Sequence, residues 1–423
     1  MLQKEEVVFV GVCDLAGHLR GKAFPLVELE SRLQRGVGYT GANIMMSAFG
    51  PIHDNPFGTI GDLALIPDRS TRVEVEFTGS AAERFYLADI HTADDRPWSC
   101  CPRNFLRRAL AELQQESGLQ ILAAFEQEFV YTGVYDRLGT AYGHDAYRHQ
   151  GVFAEVLVSA IRRAGVTPDS FLPEYAPRQY EVTVAPTLGL RAADEAVIVR
   201  EMARAVAFRL GHRVSFAPLL DPDGIGNGTH VHFSLLDDQG RAVMYDPARP
   251  FGLSARAAPF IAGILHHLPA ITALTAPSVA SYFRLRPNRW APVCASIGEH
   301  DRGAALRVCG IFDGAREAPA RQFNVEFRVS DATASPYLTL GAIVHAGLEG
   351  IRRNMSLGAG VASSRALPQS LEEALDLLSS DTAIAARVGA ELSDVYLRLK
   401  KSEIAAVKGQ NEQAICERYA AAY

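Results

Sequence analysis

This chain of 423 residues has no lysine- or arginine-rich run, no uninterrupted apolar stretch of membrane-spanning length and no low-complexity linker. Its net charge of −6 and pI near 6.1 offer no general attraction to nucleic acid or an anionic membrane, so neither is an expected partner. The opening Met1-Leu-Gln-Lys-Glu-Glu lacks the apolar core of a signal peptide, and a cytoplasmic protein is expected. Cysteines number six: Cys100 and Cys101 adjoin, while Cys13, Cys294, Cys309 and Cys416 are scattered without metal-knuckle spacing. Reduced thiols are the expectation. There is no internal repeat, no Walker phosphate loop and no dinucleotide fingerprint. Any nucleotide must be held through metal ions and arginines.

What is present is a globular composition, 48% hydrophobic and 21% charged, in a chain long enough for two or three domains. Residues 6–13 form a β-branched run, and Asp14 to Lys22 reads as the turn of a hairpin. Residues 62–78 repeat that strand–turn–strand style. A boundary at Asp94-Asp-Arg-Pro97 divides a small β-rich domain, 1–96, from a larger one, 97–423. The character changes at Pro102, where Leu106, Leu110 and Leu113 stand at helical spacing between that proline and Gly118. Further helices are expected at 150–164, 192–211, 256–273, 338–353, 371–379 and 385–421. They alternate with strands near 181–185, 213–218, 230–236 and 324–329, so the larger domain is α/β or α+β, with one sheet carrying most of the chemistry.

Four segments place polar side chains two residues apart, and i and i+2 of a strand share a face. They are Glu126-Gln-Glu128, the run Glu174-Tyr-Ala-Pro-Arg-Gln-Tyr-Glu181, His230-Val-His232 and Glu326-Phe-Arg328. A solvated strand face is the ordinary explanation of a glutamate pair, but Leu122, Ala124 and Val130 share the face of Glu126 and Glu128. Carboxylates amid apolar neighbours need a cation or strong hydrogen bonds. The two histidines follow the glycine-rich Gly224-Ile-Gly-Asn-Gly-Thr, where backbone can approach a ligand closely. Arg302, Arg307 and Arg328 are guanidiniums suited to phosphate or carboxylate, although Arg307 alone reads as a surface salt bridge. Five carboxylates and two histidines gathered this way would repel one another without divalent cations. The pattern is that of a metal-dependent enzyme.

Together these segments resemble the glutamine synthetase family over nearly the whole chain. Asp14-x-x-Gly-x-x-Arg-Gly-Lys22 and Asp62-Leu-Ala-Leu-Ile-Pro-Asp68 look like its β-grasp domain. Phe125-Glu-Gln-Glu-Phe129, Glu174 to Glu181 and Gly226-Asn-Gly-Thr-His-Val-His232 are similar to its metal strands, and Val325-Glu-Phe-Arg-Val-Ser-Asp-Ala-Thr-Ala-Ser-Pro-Tyr-Leu338 to its most specific signature. The resemblance implies an α+β fold: an N-terminal β-grasp domain, then a catalytic domain with a curved antiparallel sheet flanked by helices. It implies Mg2+ or Mn2+, two or more ions per site, with ATP as co-substrate. Glu128, Glu174 and Glu181 would hold one ion; Glu126, His230 and Glu326 the other. His232 and Ser234 would meet the nucleotide, and Arg307 its phosphates. Gly226, Arg284 and Arg328 would bind the amino-acid substrate, while Arg302 and Arg307 stabilise the transferring phosphoryl group. It further implies a γ-glutamyl phosphate intermediate, sheltered from water, and a ring-shaped homo-oligomer, a decamer or dodecamer, with active sites between subunits.

The departures from that family pattern concern the nucleophile. Ammonia-using members carry an acid in the flap after Arg-x-x-Pro; here Arg284-Leu-Arg-Pro-Asn-Arg-Trp290 puts Trp290 there. Thr40 stands roughly where they bring an aspartate from the neighbouring subunit. Loss of both acids argues against ammonium and for an organic amine, apolar or aromatic, aniline-like in its sharpest form, with Trp290 a catalytic-site residue and Met45, Met46 and Phe49 nearby. Ile225 and Asn324 also depart, at positions contacting glutamate and the nucleotide phosphates, so the acid substrate is open. An ammonia-using glutamine synthetase and a catalytically silent relative are the alternatives.

Overall fold

The computed structural model describes residues 4–51, 54–58, 61–136, 141–312, 314, 317–357 and 365–423. Strands β1 (Val7–Cys13), β2 (Leu19–Pro25), β3 (Val37–Thr40), β4 (Asp62–Pro67), β5 (Val73–Val75) and β6 (Glu83–Thr92) make one sheet. Its order is β2-β1-β6-β4-β3, with β5 also on β6. The expected β1–β2 hairpin is present, pairing Val7 with Pro25 through Cys13 with Leu19. Residues 62–78 do not form a second one. β4 and β5 each pair with β6, a long strand the sequence pattern did not single out; the buried Val73 and Val75 of β5 stand beside Phe85 and Glu83 of β6.

Helix α1 (Pro102–Ser117) starts on a proline whose missing N–H costs nothing there, and ends where Gly118 takes φ +64. From it the chain enters β7 (Leu119–Phe125), then β8 (Gln127–Tyr131), α2 (Phe153–Arg163), β9 (Pro168–Pro173), β10 (Gln179–Val184), β11 (Thr187–Leu188) and α3 (Leu190–Arg209). β12 (Val214–Ser215), β13 (Val231–Asp237), α4 (Ala258–Thr275), β14 (Ile297–Glu299), β15 (Leu306–Val308), β16 (Val325–Phe327) and α5 (Pro336–Arg352) follow. Four helices close the chain: α6 (Leu371–Ser380), α7 (Thr382–Val388), α8 (Ala390–Val407) and α9 (Glu412–Ala422). The single helical stretch expected over 385–421 is therefore broken, by Gly389 at φ +87 and Gly409 at φ +80.

Two sheets hold the chemistry, β9-β10-β8-β12 and β11-β7-β13-β16-β15-β14. Their pairs are antiparallel except β14 with β15, and the fold is α+β. Helices α1, α3, α4 and α5 pack behind them around a core of Phe105, Ile264, Leu340 and Val344. α4 is apolar and long enough to cross a membrane by composition alone, yet it is mostly buried against α5 and α6. The cysteines carry free thiols.

Candidate active site

The centre lies where the chain changes sheets. β7 and β8 are one extended run interrupted at Glu126: β7 pairs with β13 in the larger sheet, β8 with β10 in the smaller. The backbone keeps its ladder across the break, since the N–H groups of Glu126 and Glu128 donate to the carbonyls of His230 (2.9 Å) and Gly228 (3.3 Å). Two cross-strand ranks result. Glu128 faces Glu181 across β8 and β10, and Arg307, Glu326 and His232 stand side by side on β15, β16 and β13. Glycine is required at the approach to this junction. A Cβ on Gly228 would lie 2.5 Å from His230 Nε2, and one on Gly226 2.6 Å from Arg284 Cγ.

Two cavities flank the junction. The first, about 460 Å³, is lined by Glu128, Glu174, His230, Arg302, Arg307 and Trp290 among others. The second, about 400 Å³, is lined by apolar Leu122, Ala124 and Phe233 together with His232, Ser234 and Asn324. Glu126 and Glu181 line both. They are the wall between two chambers, which suits a reaction joining two bound molecules.

The acids divide into two electrostatic classes. Glu326 is almost wholly buried, yet Arg307 and Arg328 each grip one of its oxygens and His230 Nδ1 lies 3.3 Å away. Burial opposes its charge, but the histidines and Arg328 outweigh that and hold its pKa below the usual range. Glu126 behaves alike: burial raises it, but His232, at 3.0 Å, and His230, at 3.2 Å, bring it well below. Glu181 and Glu174 have no such cation. Burial and then Glu126 and Glu128 drive Glu181 well up, and burial with Glu128 pushes Glu174 up to about 7. Two histidines and two arginines thus offset charge on the Glu126–Glu326 half, whereas Glu174 and Glu181 have the greater need of a cation.

Ligand atoms of Glu126, Glu181 and His230 lie within 4.8 Å of one another. Carboxylate oxygens with one imidazole, beside an acid whose charge is opposed on every side, fit a hard divalent ion such as Mg2+ or Mn2+. Glu128 instead accepts from the Gly228 N–H (2.8 Å) and Gln179 Nε2 (3.2 Å), and Glu174 from Tyr142 Oη (3.3 Å).

The arginines are placed with more restraint than the sequence suggests. Arg328 donates to Glu326, to the Arg302 carbonyl (3.0 Å) and to the Trp290 carbonyl (3.3 Å), tying two loops to the centre and leaving two of its five N–H groups. Arg284 is buried; its Nη2 donates to the carbonyls of Val329 and Ser330, while its Nε has no partner. Arg284 also lines the first cavity, where a guanidinium suits an anionic group. Arg307 is no surface ion pair. Met45, Met46 and Phe49 do not line the cavity of their own chain, because Met45 is in the core, Met46 meets Arg20, and Phe49 lies on Tyr419 and under Arg418.

Sequence reasoning missed Tyr142, Tyr175, Arg289 and Gln179, all of which line the first cavity. Tyr175 stacks on Trp290 (5.8 Å between centroids, 15° between planes), and Tyr142 meets Tyr175 edge-on at 5.6 Å. Tyr175 lies inside the quoted Glu174–Glu181 run; Tyr142 carries no local signal. In the second cavity Asn324 Oδ1 lies 2.8 Å from His232 Nδ1, and Arg321, three residues earlier, lines the same wall.

Residues 99–419 match the glutamine synthetase catalytic domain and residues 1–98 the glutamine synthetase N-terminal domain. The gamma-glutamylpolyamine synthetase of Streptomyces coelicolor is 33% identical, covering 97% of this chain and 92% of its own length. A glutamine synthetase of Rhizobium leguminosarum bv. phaseoli is 30% identical over 93% and 92%. Among solved structures, one described as a novel glutamine synthase homolog superposes with TM-score 0.95 at 41% identity over the whole of both chains. Apo GmaS superposes with TM-score 0.83 at 25% identity, covering 98% of this chain and 96% of that one.

Proposed function

The chain belongs to the glutamine synthetase family of ATP-dependent ligases, and from that premise we propose that it joins the γ-carboxylate of glutamate to an organic amine through a γ-glutamyl phosphate. The observation that carries this reading is the aromatic cluster of Trp290, Tyr175 and Tyr142 at the mouth of the acid-lined cavity. No acid occupies the Trp290 position to attract ammonium and remove its proton. A flat, largely uncharged amine of the aniline class needs neither service and gains from stacking on an aromatic face.

The roles follow from placement. Glu126, Glu128, Glu174, Glu181, His230 and Glu326 would hold two Mg2+ or Mn2+ ions, which when bound neutralise phosphate charge. Arg284 and Arg328 orient the α-carboxylate of glutamate, with Gly226 leaving room for it. The apolar wall of Leu122, Ala124 and Phe233 takes the nucleotide base, and His232 and Ser234 its polar groups. An oxygen of the γ-carboxylate attacks the terminal phosphorus and ADP departs, with Arg302 and Arg307 beside the transferred group. The amine nitrogen then attacks the acyl carbon, phosphate leaves, and the nitrogen loses a proton. Trp290 and Tyr175 cover the mouth and keep water from the acyl phosphate. In a ring-shaped homo-oligomer, the neighbouring subunit's residues near Thr40 would complete that cover.

A second reading, a cationic alkylamine or polyamine, is favoured by the name of the Streptomyces relative and by Glu174 beside the aromatic rings. Cation–π attraction would then replace the missing acid. Phosphate release with Mg2+, ATP and glutamate, measured against aniline-type amines, polyamines and ammonium, tests the proposal. Turnover with organic amines well above that with ammonium is expected. Equal or greater activity with ammonium would reject the organic-amine reading, and the faster organic class decides between the other two.

A further inference from the structure

We propose that Cys309, His232 and Glu326 form a site for a thiophilic divalent ion of the Zn2+ class, separate in donor chemistry from the oxygen-rich ion sites beside it. Cys309 follows β15 by one residue and stays in the ladder, its N–H donating to the Asn324 carbonyl at 3.1 Å. It is two residues from Arg307, which places it on the face that Arg307, Glu326 and His232 share. Its Sγ lies 3.6 Å from His232 Nδ1, and ligand atoms of Cys309, His232 and Glu326 fall within 4.8 Å of one another. The thiol is free and half-buried, and its neighbours His232 and Asn324 line the second cavity.

None of the hard-cation chemistry uses this sulfur. Mg2+ and Mn2+ are served by oxygen, whereas a thiolate with an imidazole and a carboxylate selects Zn2+, Cd2+ or Co2+. On binding, the Cys309 thiol gives up its proton to solvent and Sγ bonds to the ion. His232 Nδ1, which donates to Asn324 Oδ1, releases its proton to solvent as well and turns the freed lone pair to the ion, and one Glu326 oxygen leaves its arginine partner. The ion thereby removes His232 from Glu126 and loosens Arg307, so occupancy switches the centre off. Binding itself does not rest on the proposed ligase activity; the switch does.

Co2+ titration tests binding directly, because a cobalt–thiolate bond gives a charge-transfer absorption that oxygen and nitrogen ligands do not. The band should appear at one equivalent in the wild-type protein, persist in Cys294→Ser and vanish in Cys309→Ser. Absence from the wild type, or persistence in Cys309→Ser, would overturn the site. For the switch, Zn2+ should inhibit phosphate release under excess Mg2+, and Cys309→Ser should need at least about tenfold more Zn2+ at unchanged basal rate. Equal sensitivity in the variant, with the cobalt band lost, would leave a binding site and overturn its control of turnover.

Discussion

Glu128 and Glu181 stand directly opposite each other on adjacent antiparallel strands, two acids in a position where like charges destabilise a sheet. Glu181 is nearly buried and is pushed well up by that burial and by the acids around it. Glu181→Gln should therefore stabilise the ion-free protein, by about 1 kcal/mol, and abolish most of the gain in melting temperature that Mn2+ gives the wild type. Thermal melts with and without Mn2+ check both halves.

Trp290 stacks on Tyr175 at the mouth of the first cavity. Trp290→Ala should lower kcat/KM for organic amines by about tenfold, the scale of one lost aromatic contact. Trp290→Glu should shift preference toward ammonium. Competition assays with both nucleophiles present read the ratio.

Arg103 is buried and bonds three aspartates at once: Asp194 (2.9 Å), Asp89 (3.0 Å) and Asp68 (2.7 Å). Asp68 and Asp89 belong to the first sheet's strands and turns and Asp194 to α3, so one guanidinium fastens that sheet to the helices behind the catalytic strands. Arg103→Met takes the shared cation from these aspartates, leaving Arg107 on Asp89, Ser70 on Asp68 and Tyr337 on Asp194, and should cost about 3–5 kcal/mol in chemical denaturation.

His345 sits within α5 against the ring of Phe105 at 5.0 Å, and burial, then the nearby Arg108 and Arg387, pull its pKa down from 6.5 to about 3. The unfolded chain binds this proton and the folded one does not, so stability is complete above 6.5 and is lost as pH falls toward 3. Glu174, raised to about 7, works the other way, losing stability as pH rises from 4.5 to that value. Comparing variants separates them: His345→Leu should show a smaller loss of urea midpoint between about pH 7 and about pH 5 than the wild type.

The strands, helices and metal-liking clusters were legible because each is a local pattern: alternation for β10 and β13, helical spacing for α1, and acids two apart. The strand β6 was not, since its role is to receive β1, β4 and β5, and pairing partners leave no mark within a strand. The sheet change at Glu126 was equally hidden, because a run that looks like one strand serves two sheets. The charge balance around Glu326 was hidden for a related reason. Arg307 and Arg328 are distant in sequence from His230, and only the cross-strand rank on β13, β16 and β15 brings both kinds of cation onto Glu326. The aromatic cluster needs Tyr142, Tyr175 and Trp290 from three loops.

Crystals grown with Mn2+ and a non-hydrolysable ATP analogue, measured for anomalous scattering, test the central claim most directly. Two manganese peaks are predicted, one bounded by Glu181, Glu128 and Glu174, the other by Glu126, His230 and Glu326. Carboxylates that keep their present hydrogen bonds with no anomalous density between them would contradict it.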